Sequence, residues 1–114
     1  MKKVAIPIAN NKISEYLCGC SHFALYDMDT KKMNVIENDV TDFNNTHKVR
    51  LWIKHNGITD IVLHRIKKEL ITLLASEKIN LFVGVPILSA EKIVEAYRCG
   101  KLESDKNIIS EITN

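Results

Sequence analysis

The sequence predicts a single α/β domain, a mixed β-sheet with helices packed on its faces. Three observations lead there. Short apolar, β-branched runs punctuate the chain, and in its second half they alternate with segments of helical spacing. In the first half, two strand-like runs are instead joined by a turn, which makes a hairpin. The length, 114 residues, is that of one ordinary domain with enough chain to bury a core unaided.

The elements follow in order. Lys3 to Ala9 (KVAIPIA) reads as a buried strand. Pro7 inside it lacks an N–H, so that position must face no ladder partner. Asn10 to Ser21 reads as a polar, glycine-containing loop. His22 to Asp29 (HFALYDMD) is the second strand, Asp29 to Lys32 the turn, and Met33 to Asn38 the return strand. A loop rich in Asp and Asn follows from Asp39 to Thr46. Val49, Trp52, Ile53 and Asn56 then keep helical spacing, with Thr46 or Asn45 as cap and Gly57 past the end. Asp60 to Leu63 is a short strand. Ile66, Leu70, Leu73, Leu74 and Glu77 mark a second helix face, and Asn80 to Val85 is the last strand. Ser89 caps a third helix with Ile93, Val94 and Tyr97 on its apolar face, and Gly100 stops it. The order β-β-β-α-β-α-β-α demands right-handed parallel crossovers after the hairpin. Lys101 to Asn114 is polar, with an apolar knot at Ile108, Ile109 and Ile112.

Composition excludes several classes. With 46% hydrophobic and 26% charged residues the chain is globular in type, not disordered. A formal charge of +2 with scattered lysines is not the clustered basic stripe of a nucleic-acid binder. No stretch approaches the ~18 apolar residues of a membrane span, and the opening residues lack the h-region and cleavage site of a leader. Three cysteines, two of them one residue apart, do not make a secreted disulfide framework. The expectation is a cytoplasmic protein with neither nucleic-acid nor membrane partners.

Four segments carry a resemblance. The opening MKKVAIPIANNKISE, with Ser14-Glu15, the stretch HFALYDMD at 22–29, the junction HNGITDIVL at 55–63, and residues 73–103 with Ala96-Tyr97-x-x-Gly100-x-Leu102 stand in the order and spacing of one family. The chain resembles the dinitrogenase iron–molybdenum cofactor biosynthesis proteins, small domains with a ribonuclease H-like fold. The resemblance implies a mixed five-stranded sheet of order 3-2-1-4-5 with helices on both faces. It spans residues 1–103 and leaves 104–114 as a C-terminal tail. Two departures stand out. Where the family has His-Phe-Gly-Arg after Ser-Glu, this chain has Tyr16, Leu17, Cys18 and Gly19. Where the family closes its fourth strand with Gly-Gly-Ile-Gly, this chain has His64, Arg65, Ile66 and Lys67.

That strand order puts both altered loops at the carboxyl edge of the sheet, where the order reverses and ligands tend to bind. They bring thiols and imidazoles: Cys18, Cys20 and His22 from one loop, His64 from the other. Such donors suit zinc, copper(I) and iron–sulfur clusters, so these four form a candidate metal-ligand set. The bland alternative makes the cysteines small buried hydrophobes. A third reading, thiol exchange between Cys18 and Cys20, lacks the C-x-x-C at a helix start. Ser14, Glu15, His47 and Arg65 are candidate cofactor contacts. His47 sits near a helix start that favours anions, and Arg65 would offset negative charge. Cys99, at the end of the third helix, is expected to be structural.

Asp27, Asp29 and Asp60 fall at the opposite edge, so the convergent carboxylates of two-metal nuclease chemistry are missing. No nucleophile elbow, phosphate loop or dinucleotide fingerprint is present. The expected function is therefore a non-enzymatic binding or carrier domain. Its cargo would be a metal or a cluster of iron–sulfur or iron–molybdenum type, handed on with a protein partner in cluster assembly. The alternative is a protein-interaction domain that kept the fold and lost the cofactor site.

Overall fold

The computed structural model describes residues 2–15, 20–38, 45–66 and 68–104, with Thr46 described by its backbone alone. The apolar knot in the tail lies outside these residues. Six strands and three helices follow one another: β1 (Lys3–Ala9), β2 (Lys12–Ile13), β3 (His22–Asp27), β4 (Lys32–Glu37), α1 (Thr46–Asn56), β5 (Asp60–Leu63), α2 (Lys68–Ser76), β6 (Asn80–Val83) and α3 (Ala90–Arg98). The sheet runs β4-β3-β1-β5-β6, with β2 paired to β1 off this path. The β1, β3 and β4 strands form an antiparallel meander, whereas β5 and β6 join β1 in parallel. The class and the five-strand path match the expectation from sequence, and β2 is the addition.

Alternation along the strands builds two cores. Ala5, Phe23, Leu25, Ile61 and Leu63 face one side, where α1 and α2 cover them with Trp52, Ile53, Leu70, Leu73 and Leu74. Phe23 and Trp52 pack with ring centroids 4.5 Å apart and planes tilted by 43°. Val4, Ile6, Ala24 and Val62 face the other side, where α3 supplies Ile93 and Val94. Each fully buried large side chain stabilises the fold by roughly 1.5–3 kcal/mol, so both faces hold the sheet. In α2 the helix starts at Lys68, so Ile66 packs into the core from the segment before it.

The helix ends obey local chemistry. The Asn45 side chain accepts from the Lys48 amide and so caps α1, while Gly57, at φ 64°, lets the chain turn back at its end. The Ser89 side chain caps α3 in the same way. The hairpin turn comes earlier than the sequence spacing suggests. Asp27 Oδ1 accepts from the amides of Asp29 and Thr30, which ends β3 at Asp27 and starts β4 at Lys32.

The extra strand has an identifiable cause. Asn10 and Asn11 have φ of 55° and 65°. Consecutive left-handed residues make a type I′ turn, which returns the chain as a tight hairpin, and asparagine tolerates that conformation. Ala9 therefore pairs with Lys12 and Ile8 with Ile13. The β1–β5 register stops at Ala5↔Ile61, two residues before Pro7. The missing proline N–H falls where the parallel ladder has already ended, and the Pro7 carbonyl accepts instead from the Ser14 amide at 2.7 Å.

Candidate functional site

The carboxyl edge of β1, β5 and β6 gathers the loops singled out by the sequence. At that edge β1 and β5 part, and β2 stands in the gap. Its far side is tied by the Ile13 amide to the Leu88 carbonyl at 2.9 Å. The chain beyond it is tied by the Glu15 carbonyl, which accepts from the Arg65 amide at 3.0 Å. Ser14 is 5% exposed, and its amide donates to the Pro7 carbonyl of β1. Glu15 is exposed and Arg65 half-buried.

His64 follows β5 and is half-buried, with Nδ1 2.9 Å from the Val85 carbonyl. A carbonyl can only accept, so Nδ1 carries the proton and donates. In the neutral ring the lone pair is then on Nε2. His22 shows the same arrangement. Its Nδ1 lies 2.9 Å from Ser21 Oγ, whose own proton goes to the Ile8 carbonyl at 3.3 Å. Both imidazoles thus have one nitrogen fixed by an oxygen acceptor, as metal-binding histidines usually do.

The two rings stand on opposite sides of the inserted strand. His22 lines a cleft of ≈ 470 Å³ with Ile8, Met33, Val35 and Ala90, on the α3 face. Cys20, only 7% exposed, belongs to the other core, where Asn38 Nδ2 donates to its sulfur at 3.4 Å and to its carbonyl at 3.0 Å. Cys18 lies outside the described residues. Among the described residues, no group of three or more His, Cys, Asp or Glu side chains is placed to hold a metal ion. His47 is exposed in the first turn of α1, where Asn45 already serves the Lys48 amide.

The comparison with family models now bears on this edge. Residues 1–100 match the model for dinitrogenase iron-molybdenum cofactor proteins. The chain belongs to this family. Solved structures agree in fold. The apo form of the orange protein from Desulfovibrio gigas superposes with a TM-score of 0.74 at 11% identity, covering 93% of this chain and 94% of that one. A NifB candidate from Thermotoga gives 0.73 at 20% identity, covering 91% and 93%. A dinitrogenase candidate from Methanocaldococcus jannaschii gives 0.66 at 21% identity, covering 91% and 94%. No curated protein matches the sequence.

In this member of the family the opposite edge holds a second polar cluster, which sequence reasoning set aside. Asp60, 2% exposed, accepts from Thr59 Oγ1 at 2.6 Å, Asn80 Nδ2 at 3.1 Å and Tyr97 Oη at 3.1 Å. Burial, the Asp60 charge and the hydrogen bond to it together raise the Tyr97 phenol to about 12. These groups border a cleft of ≈ 340 Å³ with Phe82 and Leu102. The signal was in the sequence: Asp60 and Asn80 open two parallel strands at equivalent positions, so they are cross-strand neighbours.

Proposed function

We propose that this chain is a non-catalytic carrier whose cargo is an anionic metal cluster of iron–sulfur or iron–molybdenum type, held at the carboxyl edge and passed to a protein partner. The observation that carries the reading is the fixed tautomer of His64, with Nδ1 committed to the Val85 carbonyl and Nε2 left to bind. Family membership supplies the cargo class. In this reading His64 is the first ligand, the Arg65 guanidinium offsets the cargo's charge, and Cys18 is the thiolate of the remodelled loop. His22, with the same fixed tautomer, is a second imidazole on the far side of β2. Cys20 supports the loop, because its sulfur is buried and already accepts from Asn38. Ser14 and Glu15 hold the loop against the Arg65 backbone, and His47 adds positive charge only when protonated.

Few ligands suit a carrier, since cargo held by one or two donors leaves more easily than cargo in a closed four-ligand site. The alternative is an interaction domain without cargo. The separation of His22 and Cys20 onto opposite faces favours it.

Anaerobic reconstitution with iron and sulfide, followed by absorbance and metal analysis, separates the two. The carrier reading expects stoichiometric uptake by the wild type and loss of uptake in both His64→Ala and Cys18→Ser. Uptake by neither wild type nor variants, or equal uptake by all, leaves the interaction domain.

A further inference from the structure

We propose that the free edge of β4 is a self-association surface, at which a second copy of this chain adds its own β4 antiparallel to the first. Three observations lead to it.

The first is the edge itself. β4 ends the sheet, and among the described residues nothing pairs with its outer side. Edge strands are usually blunted by proline, a bulge or a covering element. β4 reads KMNVIE and pairs with β3 in unbroken register from Lys32 to Glu37, so it has neither proline nor bulge.

The second is the direction of its backbone groups. The Asn38 amide donates to the Ser21 carbonyl at 3.0 Å, beside the His22↔Glu37 pair. In an antiparallel ladder bonded and unbonded pairs alternate, so Ile36, Asn34 and Lys32 bond to β3. The N–H and C=O groups of Met33, Val35 and Glu37 are therefore left on the outer side.

The third is the side-chain pattern, which picks one partner and one register. Val35 is 58% exposed and shares the α3 face with the half-exposed Met33. Two antiparallel copies related by a two-fold axis keep this face continuous only if each residue meets one of the same parity. Centring the axis on Asn34 sets Met33 of each copy against Val35 of the other. The same register brings Lys31, in the turn just before β4, to the end of the other copy's strand at Glu37, and sets Lys32 against Ile36 on the other face. Centring on Val35 instead would set Met33 against Glu37. On the α3 face the strand is thus self-complementary in this register, with the turn's Lys31 nearest the other copy's Glu37, which identifies the occupant as a second copy.

The test reads mass and register. Light scattering at high micromolar concentration is expected to give the wild type twice the 13.0 kDa chain mass. Val35→Pro removes an outward N–H that β3 does not use, so it is expected to return the single-chain mass with an unchanged circular dichroism spectrum. Asn34 would face its own copy across an unbonded pair, where Cα atoms are about 4.5 Å apart and a disulfide fits. In a Cys99→Ser background, Asn34→Cys is therefore expected to cross-link under mild oxidation, and Ile36→Cys is not. A single-chain mass for the wild type overturns the proposal. So does a dimer that survives Val35→Pro, or cross-linking through Ile36→Cys in preference to Asn34→Cys. None of these readings depends on whether cargo binds.

Discussion

The two edges of the sheet solve opposite problems with similar residues. At the amino edge of the parallel strands, Asp60 is buried and its carboxylate oxygens meet three donors. At the carboxyl edge, His64 and His22 each have one nitrogen spent and, among the described residues, one in hand. A polar group with every valence satisfied fastens the fold, because breaking it strands its partners. A group held firmly by one atom, with another atom unused, is poised to take a ligand. The difference separates structure from function more sharply than residue type does, since aspartate and histidine side chains can each ligate metals.

The largest expected effect tests the fastened edge. Asp60→Ala removes the shared acceptor of Thr59, Asn80 and Tyr97 and is expected to lower unfolding free energy by about 3 kcal/mol in urea titration, with cargo uptake of the folded protein unchanged. Loss of uptake in a still-folded variant would break the comparison. Next comes the poised edge. His64→Ala removes a half-buried ring and one hydrogen bond, so a stability loss of about 1 kcal/mol is expected alongside loss of cargo uptake in the reconstitution.

Tyr97 sharpens the first edge further. Tyr97→Phe is expected to cost about 1 kcal/mol near neutral pH. Its folded-state phenol is raised above the ordinary value of 10.0 to about 12. A raised acid favours the neutral form in the fold, so its contribution is intact below pH 10 and fades as pH climbs through 12. Wild-type stability should therefore fall across that window more steeply than that of Tyr97→Phe, as measured by denaturation at a series of pH values. The smallest effect concerns Tyr26, whose buried hydroxyl has no hydrogen-bond partner among the described residues. Tyr26→Phe should change stability by no more than about 0.5 kcal/mol or raise it, because no made bond is lost.

Much of the architecture was legible because periodicity carries it. Apolar runs of strand length, helical spacing at Val49, Trp52 and Ile53, and the caps at Ser89 and Gly57 each reflect a local physical cause that survives folding. β2 escaped because two residues are too few to show a period. Its only mark is Asn10-Asn11, a turn signature that a polar loop also tolerates. That one omission governs the site. Reading residues 10–21 as a loop lets Cys20, His22 and His64 be set together, whereas β2 pairs with β1 at Ile8 and Ala9, and Cys20 and His22 fall on opposite faces of the sheet. Asp60 was read by its edge alone. Its meaning depends on Tyr97, 37 residues away on another element, and no local pattern announces that pairing.

The central strand has a consequence for how the chain is made. β1 leaves the ribosome first, yet its inner neighbour β5 begins at Asp60, and the Lys3 amide waits for the hydroxyl of Thr59. Until then only the antiparallel side can close, as β3 and β4 arrive. A nascent chain therefore carries a three-stranded meander with two uncovered apolar faces and one open flank through much of its synthesis. The closing step joins residues far apart in sequence, which slows it relative to the hairpin. A chain stalled or cut before Thr59 would keep that flank open, and its β1 would be free to zip onto any extended strand that comes near.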